Sequence, residues 1–597
     1  MKIKHFFGLA VLAAMTASCS SNNDLVVGGG NGSGENESGE SYASITIDLP
    51  TTSGTRAIKN DQFDGGTASE YAVNDATLLI FEKDGSSENE YKFVEQASLG
   101  NLEPWKKDNT DDNGITTEAT ITAKLEKATV GENGNYYALV ILNNKDKDDA
   151  DKVTLPNGST TYGDWNVAAS ATAANLVDNT KGFYMANAPE FTTADVEPTT
   201  LVPIKGIYRT KEEAQSKPGT TVHVERGLAK VTVGKGTEND YFTGAKASGS
   251  KYRDDDVKIT NWALDVTNKS SFPVHVTAGL KSGVTSTDQT VTGYKDIWKN
   301  EATSTAPATS RFVSQLSATD AFKRVYWGID PNYSMGLTDL AKCQEQFTIA
   351  EANGTGVTWN NGSGSNNPLY CLENTFDINN MTQGQTTRVL LKATYTPNAL
   401  ASATDKTFFM IGNSSDIWTM DNLKKQIESK AKEALGITTD LTVKLKDDLL
   451  TAGTHVLTES NVSIKEGEGE AATEKVDAKL VAKLNTKLGL DKNNGVGIKT
   501  YKNGESYYIA RIKHFGDDLT PWNAGDGTYD GNNLNWLGRY GVLRNNWYDL
   551  TINKISGPGY PDVPDVKPDV PDDEDTKYIN VEVKILDWAK RSQSWDL

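Results

Sequence analysis

A cysteine at position 19 stands behind a stretch built for export. Lys2, Lys4 and His5 form a basic start, Phe6 to Met15 an apolar run, and Thr16, Ala17 and Ser18 a small-residue approach to Cys19. A thiol in this place is the one that takes a diacylglycerol, and a multi-chain lipid anchor holds a protein stably where one chain does not. Thr16 stands where such boxes often carry leucine; ordinary leader cleavage beside an incidental cysteine is the alternative. A second reactive spot is Arg56-Ala57 inside the small, polar TTSGTRAIK, a protease-compatible arginine in an exposed loop. Beyond the leader the histidines are His223, His275, His455 and His514, none in an HExxH, GxSxG or Cys/His setting. His223, in the alternating TVHVE, reads as a half-exposed strand residue before it reads as a base. No catalytic residue is expected, although abundant carboxylates leave a glycosidase pair open. Arg253 to Asp256 (RDDD) and Asp526 to Asp530 (DGTYD) gather oxygens that suit Ca²⁺ or simply solvated turns; neither is an EF-hand. Cys343 and Cys371 can pair only if their Cα atoms come within ~4.4–6.8 Å, and two separately buried thiols are an equal alternative. No metal and no cofactor are expected.

These groups need positioning, and composition bounds what positions them. At 597 residues the chain exceeds one core. Hydrophobic residues at 37% and 52 glycines, with many Thr, Asn, Val and Tyr, read as folded and β-rich. A net charge of −20 argues against a nucleic-acid or anionic-membrane partner, both of which need a basic surface. After the leader no apolar run reaches the ~20 residues that span a bilayer, so membrane contact is through lipid alone.

The chain begins and ends in similar strands. Tyr42 to Leu49 puts Ala43, Ile45, Ile47 and Leu49 on one face and Ser44, Thr46 and Asp48 on the other. Tyr578 to Leu586 puts Ile579, Val581, Val583 and Ile585 on one face and Asn580, Glu582 and Lys584 on the other. Period-two alternation predicts one face in a core and one in water. Two interchangeable strands suggest subunits that exchange them; two ordinary edge strands of one sandwich are the alternative. Between them lie short β-runs at 71–81, 136–142, 221–233 and 257–266, bounded by turn residues at the spacing of a sandwich. Residues 235–250 interrupt the pattern and mark a domain boundary. Two helices are predicted, over 422–435 with Gly436 as its cap and over 470–488 followed by Gly489. Residues 20–40 form a solvated tether, and 557–576 (GPGYPDVPDVKPDVPDDEDT) reads as a semi-rigid spacer, ~3.1 Å per residue or roughly 60 Å in all. Such a spacer either projects the last strand to another subunit or carries it around its own domain.

The C-terminal stretches GRYGVLRNNWYDLTINKISGPGYP (538–561) and VEVKILDWAKRSQSWDL (581–597) resemble the end of fimbrillins of Bacteroidales type V pili, of the short-fimbria major subunit kind. Cys19, the TRA at Arg56-Ala57, GFYMANA (182–188), VERGLAKVTV (224–233) and YCLENTF (370–376) agree. The resemblance implies a mainly β fold: two transthyretin-like β-sandwich domains with a few helices, plus an exchangeable C-terminal strand. It divides the chain into a lipoprotein signal peptide (1–18), a lipidated propeptide with the removable first strand (19–56), N-terminal (57–240) and C-terminal (241–556) sandwiches, a spacer (557–577) and a donor strand with tail (578–597). It implies a shaft pilin exported on lipid at Cys19 to the outer membrane and cut after Arg56 by an arginine-specific protease. The pilin then polymerises by donor-strand exchange into a surface fimbria that serves adhesion and biofilm. Partners would be other copies of the chain, that protease, and anchor and tip subunits. A surface glycan-binding or adhesin lipoprotein that does not polymerise is the alternative; it would use some of the 12 tryptophans and 23 tyrosines as sugar platforms.

Overall fold

A computed structural model describes residues 40–49, 67–100, 118–132, 134–145, 148–169, 171–190, 198–277, 325, 327–333, 335–375, 380–467, 469–514, 538–572, 579–586 and 591–592. The fold is mainly β. The strands that build its sheets are β1 (Ser41–Asp48), β2 (Ala76–Glu82), β3 (Lys92–Gly100), β4 (Glu118–Leu125), β5 (Tyr136–Leu142), β6 (Met185–Asn187), β7 (Thr220–Arg226) and β8 (Leu228–Lys235). They continue as β9 (Asp256–Asp265), β10 (Leu369–Leu372), β11 (Arg388–Thr396), β12 (Glu505–Arg511), β13 (Trp547–Ile555), β14 (Ile579–Leu586) and β15 (Arg591–Ser592). The helices used below are α1 (Ala68–Tyr71), α2 (Lys211–Gln215), α3 (Met420–Leu435) and α4 (Ala478–Leu488).

The first sheet runs in the order β3-β2-β5-β6-β7-β1-β4. Its middle strands are apolar without alternation: Leu78, Leu79, Ile80 and Phe81 are all fully buried, as are Leu139 to Leu142. Such runs mark strands covered on both faces. The two ends of the order meet, because the Glu95 carboxylate on β3 accepts from the N–H groups of Glu126, Lys127 and Ala128, just past β4, at 2.7–2.9 Å. One core, with Ile45, Ile47, Leu78, Ile80, Val140 and Val222, lies inside this wrap. A second, with Phe81, Leu139, Trp165, Phe183 and Tyr184, covers the other face.

The chain leaves this sheet at Arg226 and enters the next at Leu228, with only Gly227 between. This change of sheet precedes the interruption at 235–250. The second sheet runs β10-β8-β13-β14-β15, and the third places β11 between β9 and β12. They face one another as a sandwich over Val231, Val233, Val257, Trp262, Leu391, Tyr508, Leu550 and Ile552. Cys343 and Cys371 are free, buried thiols in different clusters.

Residues 408–501 carry their own core around α3 and α4. Leu423, Ile427 and Ala431 of α3 are buried at the four-residue spacing, while Leu435 is 37% exposed. Gly436 ends α3 with φ 68°, the left-handed cap. The second helix starts eight residues later than its pattern suggested. Asp477 caps it by accepting from Leu480 N at 2.7 Å, and Thr473–Glu474 instead pair as a short strand with Val462–Glu466. Val476 packs against this core from outside the helix.

The Pro/Asp-rich segment differs from the expected solvated spacer. Tyr560 exchanges backbone hydrogen bonds with Tyr507 at 2.8 and 2.9 Å. Val563 and Val566 are buried, and the Val570 carbonyl accepts from Gln383 N at 2.9 Å. Its aspartates repel in the free chain, but the alternate valines and the free carbonyls between prolines give the domain something to hold. Residues 557–572 are a strap on their own domain, followed by β14 paired antiparallel with β13 of the same chain.

Candidate functional site

β1 is built to be an inner strand. It pairs parallel with β7 (Ile45 with Thr220, Ile47 with Val222) and antiparallel with β4 over its full length (Ser41 with Leu125 to Asp48 with Glu118). Ala43, Ile45 and Ile47 have no exposure and Leu49 2%. Burying the three larger side chains contributes roughly 5–9 kcal/mol. The opposite face departs from the expected half-wet strand: Ser44 and Thr46 are also buried. α2 and the turn at Gly219 lie against it, so close that a Cβ on Gly219 would meet Thr46 Oγ1 at 2.6 Å.

Polar groups fasten β1 at both ends. Ser41 Oγ donates to Ala128 O at 2.7 Å, Tyr42 and Tyr208 exchange backbone bonds at 2.8 Å, and Glu40 pairs with Lys124. Thr46 and Thr120 share a hydroxyl bond across the strands at 2.9 Å. Asp48 faces His223 Nε2 at 3.7 Å, while His223 Nδ1 contacts Glu190 at 2.5 Å. His223 thus bridges two carboxylates from the strand beside β1; its side chain is 12% exposed, closer to buried than half-exposed.

Residues 67–71 are fixed as well. Glu70 of α1 is fully buried against Lys230 Nζ at 2.8 Å, with the Tyr370 hydroxyl also donating to it. Arg226 Nε donates to the Glu70 carbonyl at 2.8 Å, and Lys230 Nζ lies 3.7 Å from the centre of the Trp547 ring. Burial pushes the Arg226 guanidinium down to about 10. This latch joins α1 to β7, β8, β10 and β13, and the sequence does not reveal it because Glu70 lies 156 or more residues from Arg226, Lys230 and Tyr370. The only signal was a lysine amid the apolar LAKVTV.

At the other end β14 lies beside β13, with Val583 opposite Leu550, Val581 opposite Ile552 and Ile585 opposite Tyr548. A register shift between Ile552 and Lys554 brings Ile579 opposite Ile555. β15 pairs with β14 at Lys584 and Ile585. Among the described residues β14 is laddered along one side and over two residues of the other, and unladdered backbone of this kind is a template for exchange. Cys19, Arg56 and Ala57 lie outside the described residues, as do the side chains of Ile579, Val581, Val583 and Ile585 and the loop Asp526 to Asp530. The RDDD loop is a structural turn, in which Asp255 accepts from the Tyr395 hydroxyl and Asn398 N, both at 2.7 Å. Among the described residues no group of three potential ligands could hold a metal.

A polar cavity of about 390 Å³ opens in the first sheet's cover, lined by Tyr91, Tyr137, Tyr162, Glu88 and His275 among others. Glu88 is engaged in holding the backbone of Thr200 and Leu201, and desolvation pushes its carboxyl up to about 7. His275 Nδ1 is bound to Glu225 at 2.8 Å.

Residues 499–594, which span β12, β13, β14 and β15, match the family of the major fimbrial subunit protein type IV, fimbrillin, C-terminal. The chain carries a fimbrillin C-terminal region. The match points to a structural, non-enzymatic subunit of a cell-surface fimbria. Solved structures similar to the chain include a fimbrilin from Porphyromonas gingivalis, 12% identical over 92% of this chain and 99% of that one, with a TM-score of 0.35. The tip fimbrial protein Mfa3 of the same organism is 10% identical over 92% and 100%, with a TM-score of 0.25. A fimbrial assembly protein from Parabacteroides distasonis is 13% identical over 60% and 99%, with a TM-score of 0.21. No curated protein matches the chain.

Proposed function

We propose that this fimbrillin is a shaft pilin of the short-fimbria major subunit kind and polymerises by donor-strand exchange. The precursor is exported as a lipoprotein on Cys19. An arginine-specific surface protease cuts between Arg56 and Ala57, and β1 leaves with the propeptide 19–56. Residues 578–597 of another copy then enter between β7 and β4, with Ile579, Val581, Val583 and Ile585 replacing Ala43, Ile45, Ile47 and Leu49. Anchor and tip subunits complete a fimbria that serves adhesion and biofilm.

One observation carries this reading: the strand upstream of Arg56 is an inner strand. Its loss leaves two facing rows of unpaired backbone groups above an opened apolar core, a vacancy that strongly favours a replacement strand. Four inserted aliphatic side chains contribute roughly 6–12 kcal/mol before the cost of ordering. The register is fixed, because a slip of one residue would bury Asn580, Glu582 and Lys584. The test is Arg56→Ala. Cells should display a folded, lipid-anchored monomer and no heat-stable ladder of polymers, and the wild-type surface protein should begin at Ala57. A normal ladder from Arg56→Ala, or a wild-type surface protein that retains Cys19, overturns the proposal.

A further inference from the structure

Resting on the strand-exchange reading, we infer that Asp572 is the fixed point from which the last strand is handed over, so that a second copy of this chain docks on the face around Asp572.

The strap is held from end to end. Its start is bound through the Tyr508 hydroxyl to Gly557 O at 2.9 Å and the Tyr501 hydroxyl to Gly559 O at 2.7 Å. Its middle is held by Arg388 Nη2 donating to Pro564 O at 2.9 Å, while Arg388 Nε pairs with Asp265 at 2.8 Å. Its end is a buried charge. Asp572 has no exposure, pairs with Arg511 Nη1 at 3.0 Å, accepts from the Thr386 hydroxyl and donates its N–H to Met381 O at 3.4 Å. A buried ion pair is a poor source of stability, because desolvation offsets most of its attraction. What it supplies is place: of the strap's aspartates Asp562, Asp565, Asp569 and Asp572, it is Asp572 that meets Arg511.

The clamp sets a reach. Six residues lie between Asp572 and Ile579, the first residue of β14 to pair, so seven Cα steps join the two. Fully extended they span about 25 Å. A tether free from Ile555 would span about 80 Å over its 24 residues. The groove that accepts the strand must therefore open within about 25 Å of Asp572, and the accepting copy is brought against the exposed strap residues Asp565, Lys567 and Asp569.

The experiment places a photo-crosslinking amino acid at Asp569 in the full chain and polymerises it after processing. Irradiated polymer should give subunit-to-subunit crosslinks from this position. A Gly-Ser insertion after Thr576, long enough to double the reach, should keep the heat-stable ladder and lower the crosslink yield several-fold. Asp572→Asn should do the same by loosening the clamp, with circular dichroism reporting its fold; if that variant does not fold, the insertion alone decides. A normal ladder without crosslinks from Asp569, or a yield unchanged by the insertion, overturns the docking face and leaves strand exchange standing. Absence of any ladder from the unsubstituted chain overturns the strand-exchange reading beneath it.

Discussion

β1 and β14 are the same length, eight residues each, yet they sit in the fold in different ways. β1 has a neighbour along both edges and cover on both faces. β14 has one full neighbour, β13, and a two-residue contact with β15. β1 cannot slide out without breaking two ladders at once, whereas β14 is held by one long ladder and a second of only two residues. The contrast supplies a physical reason for a protease in the proposed cycle: β1 leaves only when cut free, and β14 leaves by exchange.

The largest effect that tests this contrast is on the inner strand. Ile45→Asp buries a charge where Ile45 has no exposure, and should lower precursor stability by about 4 kcal/mol or more. Val583→Asp should leave the precursor's thermal melt nearly in place and remove the polymer ladder. Equal melting losses in the two variants would erase the distinction. Next comes Glu70→Gln, which leaves Lys230 buried without its counter-charge and should cost roughly 3–5 kcal/mol in urea unfolding of precursor and processed chain alike. A loss confined to the precursor would mean that the latch belongs to β1 and not to the body that remains.

A smaller effect concerns the strap. Desolvation, with Asp565 beside it, pushes the Asp562 carboxyl up to about 6. An acid raised above its unfolded value near 3.8 favours the folded state most when protonated, so this contribution fades as pH rises from about 4 to 6. Hydrogen-exchange protection at Tyr560 and Val563 should therefore be several-fold greater at pH 4.5 than at pH 7, and Asp562→Asn should flatten the difference. The smallest effect is Glu582→Gln, which should change ladder stability by no more than ~0.5 kcal/mol. A greater loss there than at Val583 would show that the alternation is not the docking face.

Much of this was legible because local patterns agree with the fold. Ala43, Ile45, Ile47 and Leu49 were readable as a buried row, and Leu480, Leu484 and Leu488 as a helix face. What escaped was set by partners distant in sequence. Ser44 and Thr46 look solvated until α2 and Gly219 cover them from more than 160 residues downstream. The repeated PDV of the strap reads as a free spacer until Tyr507, Gln383 and Arg511 engage it. Glu70 and Lys230 look like surface charges until each buries the other. The proposed cleavage loop and lipid site rest on local motifs alone, since their use would depend on enzymes outside the chain.

The chain's change of sheet at Gly227 has a mechanical consequence. Residues 220–235 run as one extended segment whose first half borders β1 and whose second half borders β13. In a filament joined by strand exchange, a pull arriving through a neighbour's strand beside β7 would pass along this single stretch of backbone to β8. From there it would cross the parallel ladder to β13, which the strap follows out to Asp572. Each step loads rows of hydrogen bonds along the strands, in shear, so many must fail together before one subunit parts from the next. Gly227, with Tyr184 and Leu176 packed 3.2–3.3 Å from where a Cβ would stand, is the one joint in that line.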